Sequence, residues 1–279
     1  MGLEFLESEI FEIISVGNEL LIGKTLNTNA HWLAKMITEL GGFVKRCTVI
    51  RDDVDDISLA IKESIKRGVN WLIISGGLGP TYDDKTLQGV AKALNRELMI
   101  DDDALKMVEE KYEHMVHHGT LKKAELTPAR VKMATLPNGS KALPNPVGTA
   151  PGVLMDEGER KIVCLPGVPV EMEAIFKESV MPMIMKSVRR FYHEKSIHII
   201  GIIESDLAPL IEKALANNPL VYIKSHPKGR GEGMSKIEIQ VTAMAEDSST
   251  AKKRVEDALE QLKSMIIEHG GMIDKESTS

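Results

Sequence analysis

Cysteine and aromatic residues are scarce in this sequence. Its 279 residues include two cysteines, Cys47 and Cys164, and aromatic residues make up 4% of the chain. The two cysteines have neither CxxC spacing nor the even-numbered pattern of a disulfide framework, which excludes a small disulfide-stabilised secreted domain. The pair is typical of a reducing compartment, and we expect both side chains to be buried in strands.

Long apolar runs and an excess of basic charge are also missing. The 35 basic and 41 acidic residues are mixed along the chain and leave a formal charge of −6, so we expect no nucleic-acid partner. The N-terminus has three acids before its first apolar run and no positively charged start, unlike a secretory signal. No apolar stretch approaches the length that spans a bilayer. We therefore expect a cytoplasmic protein with no membrane partner.

Short apolar runs alternate with segments of helical period in the first part of the chain. Strands are predicted at 11–17, 43–50 and 71–77, and helices at 29–40 and 55–67. This alternation is typical of right-handed crossovers in a mostly parallel sheet. Ligands of such sheets bind beyond the carboxyl ends of the strands. An α/β fold with a site at that edge is therefore expected.

The middle of the chain is more helical and then becomes rich in proline and glycine. Apolar spacing predicts helices at 104–117 and 122–133. Residues 152–167 indicate two strands joined by a turn at 157–159, and a helix at 169–188 begins after a proline-containing turn.

A second, smaller domain is predicted from the change of pattern around 189–195. A strand, helix, strand, strand, helix order begins there, which favours a ferredoxin-like α+β unit. We therefore divide the chain into domains 1–188 and 189–279. The composition of 226–235, HPKGRGEGMS, predicts a flexible hairpin connection.

The stretch GGLGPTYDD at 76–84 carries the strongest chemical signal. Its glycines allow the backbone to approach a ligand closely, and their N–H groups suit an anionic phosphate. Thr81 offers a hydroxyl. Of Asp83 and Asp84, one is expected to cap the next helix and the other to hold a divalent cation. The competing interpretation is an ordinary glycine-rich turn with an aspartate cap.

A second polar stretch, GNELLIGKTLNTN at 17–29, follows the first predicted strand. Glu19 places a carboxylate just past that strand. Asn27 offers an amide for binding, but Asn27, Thr28 and Asn29 are also typical helix caps. Capping is a sufficient explanation for Asn29.

Two proline-containing loops, LPNPVGTAPG and LPGVPVE, supply further candidates. Proline fixes φ and holds a loop rigid, which suits accurate presentation of polar groups. Loop stiffening alone is the alternative interpretation. The candidate residues are Asn145, Gly148, Thr149, Gly167 and Glu171.

Four ordered stretches, SVGNELLIGKTLNTNAHWLA, SGGLGPTYDDKT, LPNPVGTAPG and LPGVPVEM, strongly resemble the N-terminal domain of the competence/damage-inducible protein A (CinA) family, over roughly residues 10–186. That family is related to molybdopterin-binding proteins of the MoaB and MogA type. The resemblance implies a three-layer, doubly wound, mostly parallel sheet, a homodimer and an ADP-ribose pyrophosphatase activity. Related domains hydrolyse FAD.

When the family's functional residues are carried over position by position, the resemblance implies a pocket in which a metal-activated water attacks phosphorus. The implied catalytic residues and metal ligands are Asp83, Asp84 and Glu19. The implied cofactor is a divalent metal, Mg, Mn, Co or Ni, with K⁺ as an additional ion. The implied substrate-binding residues, which include those of both loops, are Gly76, Gly77, Gly79, Thr81, Asn27, Asn145, Gly148, Thr149, Gly167 and Glu171.

Two departures limit this transfer. Molybdopterin adenylyltransferases carry an acid where Asn27 falls, which disfavours adenylyl transfer. Full-length bacterial members add a C-terminal nicotinamide mononucleotide amidase domain, for which we expect no room before Ser279. Two other functions stay open beside the hydrolase: a molybdopterin-binding protein without turnover, and a dimeric interaction module descended from an enzyme.

Overall fold

The structure, a computed structural model, describes residues 9–231 and 234–274. The chain divides into two compact units, of which the larger comprises residues 9–38 and 42–187. The smaller comprises residues 39–41 and, in its described part, 188–231 and 234–274. Our interpretation of the N-terminus rests partly on residues 1–8, which lie outside the described residues.

In the larger unit, one or two helices follow each of the first three strands, and the order then becomes more irregular. A single π-helical turn, Phe176–Val180, separates its last two helices. The elements in chain order are β1 (Ile10–Val16), α1 (Asn18–Leu21), α2 (Thr28–Glu39), β2 (Phe43–Ile50), α3 (Val54–Lys66), β3 (Trp71–Ser75), α4 (Thr86–Leu94), β4 (Leu98–Ile100), α5 (Asp102–His117), α6 (Pro128–Met133), β5 (Thr135–Pro137), β6 (Lys141–Leu143), β7 (Gly152–Asp156), β8 (Lys161–Leu165), α7 (Pro169–Ile175) and α8 (Met181–Ser187).

A six-stranded sheet forms the centre of this unit, in the order β2-β1-β3-β8-β7-β6. The first four strands are mutually parallel, and β7 and β6 complete the sheet in antiparallel fashion. The prediction of a mostly parallel α/β sheet is confirmed. Because the chain leaves β1 for β2 on one side and enters β3 on the other, the topological switch point lies between β1 and β3, where ligands bind in such folds.

Burial explains why these segments are strands and helices. Every residue of β3 is buried, as expected for a central strand covered on both faces. Ile57 and Ile61, one helical turn apart on α3, pack with Leu72 and Ile74 of β3 in one apolar cluster. Asp53 caps α3 by accepting hydrogen bonds from the N–H groups of residues 55 and 56, which fixes where that helix begins.

Two predictions for this unit are wrong. The helix expected at 122–133 begins at Pro128, after the N-cap Thr127, because proline has no N–H and fits the first helical position but not a helix interior. Cys164 is buried in β8, but Cys47 is exposed. β2 is an edge strand, and a sequence pattern does not reveal which strand has a neighbour on one side only.

The smaller unit follows a βαββαβ order. Its four strands form an antiparallel sheet in which β9 and β11 lie at the centre. This is the arrangement of a ferredoxin-like unit, with both helices in one apolar cluster with the sheet. Its elements are β9 (Phe191–Ile200), α9 (Glu204–Asn217), β10 (Val221–Gly231), β11 (Met234–Ala245), α10 (Ser248–Glu268) and β12 (Met272–Asp274).

The flexible connection expected at 226–235 is replaced by a strand ladder in the described residues. β10 and β11 pair as far as Gly231 with Met234, with a register shift between Pro227 and Arg230. Cross-strand hydrogen bonding outweighs the local preference of glycine and proline for loops. Residues 232 and 233 lie outside the described residues. Within 9–231 and 234–274, no helix combines the length and apolarity needed to cross a membrane.

Candidate functional site

A small polar cavity of about 90 Å³ lies at the carboxyl ends of β1 and β3. Ser15 comes from the end of β1 and Ser75 from the end of β3, so the cavity lies at the topological switch point. Four of the residues predicted from sequence line it: Glu19, Asn27, Gly76 and Gly167.

Asparagine side chains hold the wall of this polar cavity together. Asn27 Nδ2 donates to Ser15 Oγ at 3.0 Å, and its Oδ1 accepts from the N–H of Ala30 at the start of α2. Asn29 Nδ2 donates to Ser75 Oγ and to the carbonyl of Gly167, both at 2.9 Å. Asn27 is therefore the helix cap. The expectation that capping explains Asn29 is wrong, because its amide joins three loops of the sheet edge.

Asn29 Oδ1 is buried and accepts no hydrogen bond within the part of the chain that the structure describes. A flip of the amide would turn this oxygen towards the carbonyl of Gly167, which needs a donor, so the orientation is determined by its partners. A buried acceptor without a hydrogen-bond donor lowers the stability of the fold. The position of Asn29 is therefore not explained by packing alone.

The glycine loop at 76–84 needs its first two glycines for steric reasons. Gly76 has φ of +111°, and a Cβ there would lie 2.2 Å from the carbonyl oxygen of Val16. Gly77 has φ of +68°, and a Cβ would lie 2.4 Å from Thr86 Oγ1. Other residues rarely adopt such φ values. Both glycines let the loop pass directly over the ends of β1 and α4.

Three consecutive N–H groups of this loop are available to a ligand. The N–H of Gly76 donates to the carbonyl of Leu165. The N–H groups of Gly77, Leu78 and Gly79 meet no acceptor among the residues that the structure describes, and all three residues line a second cavity. Adjacent unpaired N–H groups form a concave site for anions. The predicted phosphate role thus suits Gly77 and Gly79 better than Gly76.

The carboxylates of Asp83 and Asp84 converge on Thr81. The Thr81 hydroxyl contacts Asp83 Oδ1 and, at 2.6 Å, Asp84 Oδ2, and the Thr81 N–H donates to Asp84 Oδ2 at 2.8 Å. A hydroxyl has one proton, so it serves one of these two carboxylates at a time. The expected aspartate cap of α4 is wrong, because its N-cap is Lys85 and no side chain caps the helix.

The second cavity, of about 510 Å³, lies on the other side of the glycine loop. Its wall is mainly apolar, with Leu87, Leu126 and Val131 among its members. Asp84 and Lys132 are the two charged residues among those that line it. Its volume is within the range of pockets that enclose small ligands.

The charged groups that line this cavity and those next to it influence one another. The hydrogen bond from Thr81 and the N–H of Asp83 itself lower the pKa of the Asp83 carboxyl, against desolvation, and nearby Lys132 and Lys85 add to the lowering. Desolvation lowers the pKa of Lys132, against the attraction of Asp84 and Asp83. Asp83 is therefore ionised near neutral pH.

The proline-rich loop at 143–152 lies at a third cavity of about 440 Å³, which Asn145 and Thr149 line. Asn145 is buried, donates to Glu171 Oε2 at 2.7 Å and accepts from the N–H of Gly148 at 2.8 Å. A Cβ at Gly148 would lie 1.9 Å from Glu171 Oε2. These contacts fasten the loop to α7, which accounts for Asn145, Gly148 and Glu171 structurally.

Nine of the thirteen predicted residues are therefore distributed among these three cavities. Gly76 and Gly77, which are consecutive, line the polar cavity and the 510 Å³ cavity respectively. Glu19 is exposed in the polar cavity, away from the group formed by Asp83 and Asp84. Within the described residues no three His, Cys, Asp or Glu side chains are placed to hold a metal. The structure does not gather Glu19 with the two aspartates.

Sequence reasoning missed four residues of these cavities: Ser15, Asn29, Ser75 and Lys132. Ser15 and Ser75 are polar residues at the ends of apolar strands, a signal that could have identified them. Lys132 lies 53 positions from Gly79, whose carbonyl it contacts, and nothing in the sequence indicates that contact. The histidines at 117 and 118 are exposed.

This fold and site define a class of protein. Residues 12–186 match the family model described as a probable molybdopterin binding domain. The chain therefore belongs to that family, and its matched part is a CinA-like domain, which confirms the resemblance drawn from the four motifs. A solved structure of the protein CinA with unknown function, from Thermoplasma acidophilum, is similar with 42% identity and a TM-score of 0.58, over 64% of this chain and 99% of that one.

Two relatives are similar over nearly the whole chain. A protein of Caldivirga maquilingensis is 42% identical over 90% of this chain and 94% of its own length. A protein of Metallosphaera sedula is 40% identical over 95% of this chain and 97% of its own length. The similarity therefore includes both units, not the family domain alone.

Proposed function

We propose that this chain is a metal-dependent hydrolase that cleaves the pyrophosphate bond of a nucleotide diphosphate compound such as ADP-ribose or FAD. One observation carries the proposal. Gly77, Leu78 and Gly79, whose N–H groups have no acceptor within the part of the chain that the structure describes, line the same 510 Å³ cavity as Asp84. An anion-binding backbone beside a carboxylate suits a phosphate that is bound together with a cation.

Asp83 and Asp84 would hold the divalent ion, Mg, Mn, Co or Ni. The Thr81 hydroxyl contacts one oxygen of each carboxylate. Its single proton can serve only one of them at a time, so the two carboxylates together have room for a cation. A bound cation would relieve the repulsion between those oxygens. Two carboxylates are sufficient when substrate phosphates complete the ligand set. When bound, the ion supplies Lewis-acid polarisation of a phosphoryl oxygen and lowers the pKa of a coordinated water.

The residues of the chain position the substrate. The N–H groups of the glycine loop orient the pyrophosphate, and the apolar wall with Leu87 and Leu126 accommodates a planar base. The polar cavity beyond Gly76 offers Glu19, Asn27 and Ser15 to sugar hydroxyls. Glu19 thus acts at the other end of the substrate, without sharing the ion of Asp83 and Asp84.

The test is product formation by the full chain. ADP-ribose and FAD are each incubated with Mg²⁺, Mn²⁺, Co²⁺ or Ni²⁺, with and without K⁺, and AMP is measured by chromatography. We expect metal-dependent AMP release. Asp84→Asn should reduce kcat by about a hundredfold or more, the scale of losing one preorganised electrostatic group.

A matched control is Asp103→Asn, which removes the same charge from an exposed position in the first turn of α5. It should leave AMP release unchanged. Equal loss in both variants, or AMP release that survives removal of metal by a chelator, would contradict the proposal.

A second candidate is a molybdopterin-binding protein without turnover. The description of the matched family favours it, and a phosphate-bearing pterin would suit the same N–H groups and apolar wall. Fluorescence titration with molybdopterin separates the two candidates, because this one requires tight pterin binding and no metal-dependent product. A dimeric interaction module would show neither.

The remaining expectations belong to the same proposal. They are a small-molecule nucleotide partner, no nucleic-acid or membrane partner, a homodimer and a cytoplasmic location. Light scattering after size-exclusion chromatography measures the number of chains directly.

A further inference from the structure

Lys132 on α6 reaches across to the glycine loop. Its Nζ donates to the carbonyl of Gly79 at 3.3 Å and to the carbonyl of Thr81. The loop therefore presents two carbonyl oxygens to this lysine, and its residues 77–79 line the same cavity as the lysine. Helix α6 begins at Pro128, with Thr127 as its cap.

The donor count of Lys132 leaves one hydrogen for a ligand. An ammonium group has three N–H donors, and the two carbonyls of Gly79 and Thr81 use two of them. Lys132 lines the same cavity as the loop N–H groups. Its third donor and its charge are thus available to an anion that those N–H groups bind.

The negative charge at the cavity would oppose the binding of a phosphate unless a cation lies nearby. Asp84 lines the wall and Asp83 lies beside it, so an entering phosphate meets negative charge. The loop N–H groups carry only partial positive charge. Among the described residues that line this cavity, Lys132 is the cation, and a partly desolvated cation attracts an anion more strongly than one in water.

We propose that Lys132 binds a phosphate oxygen of the ligand, acting with the N–H groups of residues 77–79 to form a diphosphate site that exists before any metal binds. The inference deepens the proposed function, on which it rests for the identity of the phosphate compound. It requires no hydrolysis. The ligand class is any molecule that carries a diphosphate or phosphate group on an apolar ring system.

The experiment measures binding of inorganic pyrophosphate to the chelator-treated full chain by calorimetry. Lys132→Met should weaken binding by about tenfold or more, the scale of a hydrogen bond between charged groups. Lys132→Arg should restore part of the affinity, because it restores the charge with different geometry. Lys62→Met removes an exposed lysine from α3 and should bind as the parent chain does.

Amide hydrogen exchange of residues 76–84 decides between binding and loop support. If Lys132→Met weakens binding while the unliganded loop exchanges at the parent rate, the lysine contacts the anion. Faster exchange that accompanies the loss would overturn the inference in favour of a purely structural lysine. No pyrophosphate binding by the parent chain, or unchanged binding by Lys132→Met, would also overturn it.

Failure of the inference and failure of the proposed function are distinguishable. Metal-dependent AMP release with unchanged pyrophosphate binding by Lys132→Met rejects the role of the lysine and keeps the hydrolase. Lysine-dependent pyrophosphate binding without AMP release keeps the diphosphate site and rejects the hydrolase.

Discussion

Asn29 Nδ2 in α2 donates to Ser75 Oγ at the end of β3, 2.9 Å away across 46 positions of sequence. The same amide nitrogen donates to the carbonyl of Gly167, 138 positions away. One side chain thereby ties together the loops that follow three neighbouring parallel strands. The polar cavity at the switch point depends on this link.

Removal of the Asn29 amide should destabilise the larger unit. We expect Asn29→Ala to lower the free energy of unfolding by about 1–3 kcal/mol, because the Ser75 hydroxyl and the Gly167 carbonyl lose their donor. Urea unfolding measures the change. Asn138→Ala is the matched control, since Asn138 is exposed and its described hydrogen bonds involve its main chain. Equal effects of the two substitutions would contradict the structural role of Asn29.

Gly76→Ala should be more damaging than a glycine substitution without a steric clash. Gly68 has a positive φ, but a Cβ there would meet no atom within 4 Å, so Gly68→Ala should cost about 1–2 kcal/mol for the left-handed backbone. Gly76→Ala adds a contact of 2.2 Å with the Val16 carbonyl and should cost clearly more. Thermal unfolding compares the two, and the prediction fails if Gly68→Ala proves the more damaging.

The buried ion pair of Glu12 and Arg67 should make stability depend on acid pH. Arg67 donates twice to Glu12 at 2.7 Å, and Ser64 donates once at 2.6 Å. Desolvation opposes ionisation, yet the bonds from Arg67 and Ser64 outweigh it and lower the pKa of Glu12. This stabilisation is present above the ordinary glutamate pKa of about 4.3. It is lost as the pH falls through the lower pKa of the folded state.

Arg67→Ala should lower the free energy of unfolding by about 3–5 kcal/mol at neutral pH, because it leaves a buried carboxylate without its partner. The deficit relative to the parent chain should shrink in acid. Arg51→Ala removes an exposed pair with Asp56 and should change the free energy of unfolding far less than Arg67→Ala, because water screens an exposed ion pair. A deficit that does not change between neutral and acid pH would argue against an ionised Glu12.

Thr81→Val should raise the pKa of Asp83 towards its ordinary value. The hydroxyl of Thr81 is the largest cause of the lowering, and valine keeps the shape of the side chain without the donor. Carbon NMR titration of the aspartate carboxyls measures the change. Asp53 is an internal control, because the N–H groups of Asp56 and Asp55 lower its pKa. The assignment is wrong if Asp83 titrates identically in both proteins.

The order of elements in the larger unit was predictable because it follows from hydrophobic periodicity and glycine positions within short segments of sequence. The apolar run at 71–77 predicts β3, and its flanking polar residues place the glycine loop at a carboxyl edge. Gly76 and Gly77 were identified as residues of a close backbone approach, and both have positive φ. Hydrophobic period and glycine chemistry act over a few residues and can be read without knowledge of neighbours.

The wrong predictions share one cause. A local sequence pattern does not specify which distant residues a segment will contact. Apolar spacing at 122–133 predicts a helix, but Pro128 starts it late. The composition of 226–235 predicts a flexible hairpin connection, but the pairing of β10 with β11 makes all of its described residues strand. Glu19 and Asp84 both follow strands at the same edge, yet they line different cavities.

The sequence by itself determined the alternation of strands and helices, the loops at the edge where ligands bind, and the positions that only glycine can occupy. These follow from side-chain period and backbone sterics within short segments. Tertiary structure alone decided that Asn29 reaches Ser75, that Lys132 reaches the glycine loop, and that the candidate residues divide among three cavities. Such contacts depend on strand order and helix placement, which bring together side chains distant in sequence.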